Sequence, residues 1–353
     1  MDKIVECVPN FSEGQDSVVI DKIAKSIKGV ERVRLLDIDS GKDTNRTVMT
    51  FAGQPVQVVE AAFRSIKMAS ELIDMRYHKG EHPRIGAADV IPLIPVSGIS
   101  LEECAVLARK LAYRVYCELG IPVYCYEAAA FKPEHKNLAD CRKGGYESLR
   151  NRIVDPDQMP DMGGGEFTLQ AVKSGASIIG ARNFLVAVNF NLNTNLSFIA
   201  KRVASIVREK GRIKREGDVW NGKVIRNDSG EPVFEPGTLK GCKAIGWYIP
   251  EYGFAQVSMN ITDVNKTTLF KAFSEVSRAA LLQGVRVTGT EIIGLIPKKV
   301  IIDSGSEILF NQGGESSSNE ESIIDAAINH LGLNQISFFD RKRKILEFAL
   351  EVN

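Results

Sequence analysis

Two runs of alternating strand and helix pattern, in the same order, constrain this chain more than any other feature. "KIVECVPNF" (3–11) reads as a strand and "DSVVIDKIAKSIKG" (16–29) as a helix closed by glycine. "VRLLDIDSG" and "NRTVMTFAG" follow as two strands joined by the polar "SGKDT" turn. "PVQVVEAAFRSIKMASELIDM" spaces its apolar residues by three and four, with Pro55 near its start, and predicts a long helix. A strand "ADVIPLIPV", a helix "SLEECAVLARKLAYRVYCELG" and a strand "PVYCYE" complete the first half. Beyond "PDMGGGEF" the order returns. "NFLVAVNFNL" is a strand, "NLSFIAKRVASIVREKG" a helix, and "CKAIGWYI" and "FAQVSMNIT" are strands. "TLFKAFSEVSRAALLQG" is a helix and "RVTGTEIIGLI" a strand.

Two β-α-β-β-α-β runs predict an α+β chain of two ferredoxin-like (split βαβ) subdomains. Each would be an open sheet with helices on one face, leaving the other face to border a substrate groove. The expected divisions are 1–179, 180–310 and a linker-like tail, 311–353. Two stretches fall outside the pattern. Residues 213–237 are polar and turn-rich and read as a hairpin excursion or mobile loop. "NQGGESSSNEES" (311–322) reads as a solvated linker, and "DRKRK" in the tail as a solvated face.

At 353 residues the chain is long enough for two domains, and its 45 basic side chains nearly cancel 44 acidic ones. No global field therefore recruits nucleic acid or a membrane surface. The six cysteines form no C-x-x-C pair and read as buried thiols in a reducing compartment. The start has no apolar leader and no run approaches the roughly 18 apolar residues of a spanning helix, so a cytoplasmic location is expected.

The stretch "MRYHKGEHPRIGAADV" (75–90) holds two of the chain's four histidines. His78, Glu81 and His82 match the inverted zinc-peptidase pattern His-x-x-Glu-His. That pattern works only on a continuous helix, where two histidines four apart face one side. Gly80 reads as a helix stop, and Pro83 disfavours the α conformation at His82. His135 and His330 lie in separate polar contexts and supply no third ligand. His82 is thus expected on a loop at the entrance to a strand, with His78 at a helix end. A loop histidine can relay a proton near neutral pH. It can equally cap the preceding helix and bond a backbone carbonyl.

Long ungapped blocks carry a resemblance: "VECVPNFSEG", "LLDIDSGKDTNRTVMTFAG", "HKGEHPRIGAADVIPLIPV", "GARNFLVAVNFNL", "IGWYIPEYGFAQVSMNITD" and "LGLNQISFFDRKRKILEF". Together they resemble the glutamate formiminotransferase family over nearly the whole chain. The resemblance implies transfer of a formimino group between N-formiminoglutamate and tetrahydrofolate, in histidine breakdown. It also implies two ferredoxin-like subdomains around a groove and a homodimer. Tetrahydrofolate would be a co-substrate, and no metal is implied. In the bifunctional animal form the family is fused to a cyclodeaminase, whose linker the tail resembles. The chain stops at Asn353, so a cyclodeaminase is expected only as a separate partner. The 213–237 excursion looks longer than in that form.

By the same resemblance the catalytic histidine falls on His82, in "GEHPR". Asp39, in "DIDSG", takes the place of an acidic residue near that histidine, although a turn aspartate before Gly41 is the alternative. Arg84 and Arg46 are candidates for binding carboxylates, which guanidinium meets bidentately, or for ordinary ion pairs. Asn10, Asn189 and Asn191 stand near the ends of apolar strands, where they can bond substrate or turn backbone. "GGGEFTLQAVKSG" (163–175) corresponds to the stretch that the family uses against folate, with Gly163, Gly164, Gly165, Phe167 and Gly175 as candidates. It departs from the animal form in being longer and richer in glycine. A hinge between subdomains is the other reading. Three alternatives stay open on sequence: formyl transfer at the same site, a non-catalytic folate-binding protein, and a metallohydrolase.

Overall fold

Strand residues that alternate between a face covered by the long helices and an opposite face organise both halves of the protein. The computed structural model describes residues 3–313 and 319–351 and divides into two units, 1–184 and 185–353.

In the first unit the expected opening strand is interrupted at Pro9, which has no N–H to give the ladder. It becomes β1 (Ile4–Cys7) and β2 (Asn10–Phe11), both paired to the same two neighbours. Helix α1 (Ser17–Lys28) follows, its N-terminus capped by the Asp16 side chain and its end closed at Gly29. Strands β3 (Val33–Gly41) and β4 (Arg46–Gly53), helix α2 (Pro55–Leu72) and strand β5 (Ala88–Ser97) complete the first repeat. Helix α3 (Leu101–Leu119), with a Ser100/Glu103 capping box, leads to β6 (Val123–Glu127). After a 3-10 turn at Pro133–Lys136 come the short α4 (Leu138–Cys141), α5 (Gly145–Arg152) and α6 (Leu169–Ser174), then β7 (Ser177–Ala181).

The sheet runs β3, β4, β1 with β2, β5, β7, β6, antiparallel until β7 and β6 add in parallel. Ile23 and Ile27 of α1, Val58 and Ile66 of α2, and Leu111 and Val115 of α3 bury one face of it. On the opposite face Val90, Tyr124, Tyr126 and Ile178 pack with Cys141 of α4 and Leu149 of α5. Toward β3 that second face carries polar residues. The register sets Asp39, Val48, Asn10 and Val90 in one row across four strands.

The second unit repeats the plan: β8 (Val186–Leu192), α7 (Ser197–Val207), an excursion, β13 (Cys242–Ile249), β14 (Phe254–Ile261), α8 (Leu269–Leu282) and β15 (Val287–Ile293). Its order is β13, β14, β8, β15. In both units the fourth strand of the repeat therefore lies beside the first, the first beside the third, and the third beside the second. The excursion holds four two-residue strands: β9 (Arg212–Ile213), β10 (Arg215–Glu216), β11 (Lys223–Val224) and β12 (Phe234–Glu235). β10 pairs with β11 and β9 with β12, so it is a hairpin.

Helices α9 (Lys298–Asn311), α10 (Glu320–Leu331), α11 (Arg341–Lys344) and α12 (Leu346–Glu351) follow. Ile324, Ala327, Ile328, Leu331 and Ile345, from the stretch read as a tail, belong to the second core with Val188 and Val257. The expected linker at 311–322 lies partly outside the described residues. Five of the six cysteines are buried and all are free thiols. No helix among the described residues is long and apolar enough to cross a membrane.

Candidate active site

The polar end of the first unit's sheet face is closed into a cleft by two loops. One is the β3–β4 turn and the other is the segment from α2 to β5. Asn10, Ser12, Asn45, Arg46, His78, His82, Arg84 and Asp89 are among the residues lining it.

Helix α2 ends at Leu72, with Ile73 extended, so Gly80 is not its stop and His78 is not a helix-end residue. This corrects the expected position of His78. Gly80 is required for another reason: a Cβ there would sit 2.4 Å from the Thr44 carbonyl oxygen. The two loops touch backbone to backbone at this point. Asn45, at φ 44°, joins the segments. Its Oδ1 accepts from Gly14 N at 2.9 Å and its Nδ2 donates to Lys79 O at 2.8 Å.

His78 is held at both ring nitrogens. Arg84 Nε donates to its Nδ1 at 3.1 Å, so Nε2 carries the hydrogen and donates to Asn45 O at 2.9 Å. Burial and the Arg84 charge lower its pKa, which agrees with that neutral tautomer. The rest of Arg84 is also committed. Its Nη1 and Nη2 grip Glu147 at 2.8 and 2.7 Å, and Nη2 reaches His78 O at 3.2 Å. Arg84 thus braces the loop and gives its fork to Glu147, the ion pair that stood beside substrate binding as a reading of the sequence. With both His78 nitrogens occupied, one by a guanidinium, the two histidines present no shared pair of lone pairs to a cation. Among the described residues no group of three His, Cys, Asp or Glu side chains is arranged to hold a metal ion.

His82 differs from His78. Its Nδ1 donates to Pro83 O at 2.8 Å, which leaves the lone pair on Nε2. Burial, then the guanidinium groups of Arg46 and Arg142, hold its pKa well below the usual imidazole range. At neutral pH the ring is uncharged. The partner at Nδ1 is a carbonyl, and the carboxylate of Asp39 acts on Arg46 through charge.

Arg46 leans on Asn10, whose Oδ1 accepts from its Nε at 2.8 Å and also from Nη2. Burial and the nearby Arg142 bring its pKa down to about 10, with Asp89 and Asp39 opposing. Asp89, in the otherwise apolar strand β5, accepts from Ile85 N at 2.8 Å and pairs with Arg142, whose buried Nε has no partner among the described residues. So Arg142 has a carboxylate partner, while Arg46 bonds the neutral oxygen of Asn10.

Of the residues singled out in the sequence, His82, Arg84, Arg46 and Asn10 meet in the cleft, and Asp39 shares its sheet face. Gly163 lies beside the start of β6, next to the Met162–Val123 bridge. A Cβ on Gly163 would press on the Tyr116 ring at 2.9 Å, and one on Gly164 would touch Met159 at 3.0 Å. Gly165 has φ +100° with open space around it. Phe167 packs on the second-face cluster, and Gly175, at φ +69°, bridges Gly86. None of these five lines the cleft. Asn189 and Asn191 belong to the other unit. Sequence reasoning missed Asp89, Arg142 and Asn45. A lone carboxylate inside "AADVIPLIPV" was a usable signal for Asp89, whereas "LADCRKGG" singles out nothing at Arg142.

Fold and site define a twice-repeated α+β protein with a neutral histidine base set among guanidinium groups, suited to proton transfer on an anionic small molecule. Residues 4–182 match the sequence model of the formiminotransferase domain, N-terminal subdomain, and residues 187–351 that of the formiminotransferase domain. The chain belongs to the formiminotransferase family, as the blocks read in the sequence indicated. It is 41% identical over 303 residues to a glutamate formimidoyltransferase of Streptococcus pyogenes serotype M1, covering 86% of this chain and 92% of that protein. It is 38% identical over 328 residues to the glutamate formimidoyltransferase of Thermoplasma acidophilum, covering 92% of this chain and 99% of that one. A formimidoyltransferase-cyclodeaminase of Dictyostelium discoideum is 39% identical over 351 residues. That match takes in 99% of this chain but only 61% of the longer protein.

Proposed function

We propose that the protein is a glutamate formiminotransferase, moving the formimino group between N-formiminoglutamate and tetrahydrofolate with His82 as acid–base catalyst. The observation that carries the reading is His82 on its loop, its Nδ1 held by Pro83 O and its imidazole kept neutral by burial and by the charges of Arg46 and Arg142. Tetrahydrofolate N5 attacks the formimino carbon, forming the N5–C bond while its proton passes to His82 Nε2. The bond from that carbon to the glutamate nitrogen then breaks, and the same proton goes to the departing amine. One histidine serves both halves because its charge is restored at the end. Arg46, and the donors of Arg142 not used by Asp89, meet a substrate carboxylate. A ligand anion there supplies the acceptor that the buried Arg142 Nε lacks.

The reading also carries the expectations of a cytoplasmic homodimer in histidine breakdown and one-carbon metabolism. The test mixes the full chain with N-formiminoglutamate and tetrahydrofolate and follows 5-formiminotetrahydrofolate by its absorbance. Product formation that requires both substrates supports the proposal. Equal release of glutamate without folate overturns it, and a preference for N-formylglutamate would change the donor.

A further inference from the structure

The second unit carries a buried polar cluster on the sheet face turned away from its helices, where Asn191 and Gln256 are fully buried, Asn189 is nearly so and Gln335 accepts from Asn191 Nδ2. Val188, Val257 and Ile292 point into the core beneath the helices, so the residues between them face the other way. The register places Asn191 opposite Gln256, and Asn189 opposite Glu291. Their side chains form one connected network. Gln256 Nε2 donates to Asn191 Oδ1 at 2.8 Å and to Glu291 Oε2 at 3.2 Å. Asn189 Nδ2 donates to Glu291 Oε2 at 2.9 Å, and the Tyr252 hydroxyl donates to Oε1 at 3.2 Å.

Three donors thus converge on one carboxylate, and all three are neutral. No Lys or Arg among the described residues pairs with Glu291. A carboxylate can accept about four hydrogen bonds, and Oε1 here accepts one. Asn189 turns its amide hydrogens onto Glu291, so its Oδ1, with no donor among the described residues, faces away. Cross-strand partners stand about 4.5–5.5 Å apart at Cβ. The cluster therefore turns its hydrogens inward and offers a negative oxygen beside a neutral one. The complement is two adjacent N–H groups in a plane, preferably sharing positive charge.

We propose that Glu291 and Asn189 form a recognition site for a planar amidine-type N–C–N edge. This rests on the proposed function, because both substrates contain such an edge. One is the 2-amino-4-oxopyrimidine ring of the reduced folate, and the other is the formamidine of N-formiminoglutamate. It assigns recognition to a face for which the sequence suggested only Asn189 and Asn191, and it makes Glu291 the specificity-determining residue.

Equilibrium binding to the full chain by calorimetry tests it, using tetrahydropterin, N-formiminoglutamate and plain glutamate as probes. Glu291→Gln is expected to weaken one edge-bearing probe by about 10–100-fold, the range for a lost charged hydrogen bond, and to leave plain glutamate unchanged. Selective loss of tetrahydropterin identifies the pterin as the occupant, and selective loss of N-formiminoglutamate identifies the formamidine. If Glu291→Gln does not fold, Asn189→Ala removes the second acceptor and carries the same expectation. Both probes binding Glu291→Gln as they bind the parent would overturn this inference alone. A parent that binds neither would overturn the proposed function with it.

Discussion

Replacing Asp89 by Asn tests whether the cleft is built on a buried charge pair. The Asp89 side chain is 2% exposed and that of its partner Arg142 is 14% exposed. An exposed pair would contribute about 0–1 kcal/mol, but removing one member of a buried pair costs about 3–5 kcal/mol because the other charge is stranded. Asn keeps an oxygen for Ile85 N, which Asp89 Oδ1 accepts at 2.8 Å, so the change removes little beyond the charge. Each kcal/mol shifts the melting of a domain this size by about 2–4 °C, so the first unit should melt about 10 °C lower. Thermal unfolding followed by circular dichroism reads this directly. Adding Arg142→Met should recover most of the loss, since a neutral, apolar replacement of the whole pair leaves no stranded ion. An Asp89→Asn variant as stable as the parent, or a double variant no better than the single one, would refute the argument.

Further outcomes are expected. The acid limb of kcat/KM should lie below about pH 6.5, the ordinary imidazole value, because the active base is neutral and its pKa is depressed. Activity is kept until the pH falls through that lowered value, and Arg46→Gln, which removes a neighbouring cation, should move the limb upward. Gly80→Ala forces a Cβ to 2.4 Å from Thr44 O, and should cost about 1–3 kcal/mol in the unfolding transition of the first unit. Prolonged treatment with a metal chelator followed by gel filtration should leave the rate unchanged, since Arg84 and a backbone carbonyl occupy both nitrogens of His78.

Much of the architecture was legible because local pattern and tertiary role agree. Helix α1 sits between Asp16 and Gly29 as its caps demand, and α3 begins at its capping box. The interrupted first strand was missed because propensity weighed the apolar residues and not the missing N–H of Pro9. Helix α2 was drawn too long because "ELIDM" continues the apolar spacing, while Ile73 and Met75 in fact bury as extended chain and turn. In the stretch read as a linker-like tail, Ile324, Ile328 and Leu331 recur at helical spacing and enter the second core. At the site, His82 does lie on a loop as expected, although the helix ends at Leu72 and not at Gly80. What no local pattern could supply was which partners close over it, since Asp89 and Arg142 are 53 residues apart and meet only through the fold.

The account rests on His82 as the group that moves the proton, and steady-state turnover of His82→Ala tests that most directly. With N-formiminoglutamate and tetrahydrofolate saturating, kcat should fall roughly 10²–10⁴-fold, the range for a lost general acid–base group. The melting temperature and substrate binding should stay close to those of the parent. A correctly folded His82→Ala protein that turns over at the parental rate would contradict the account.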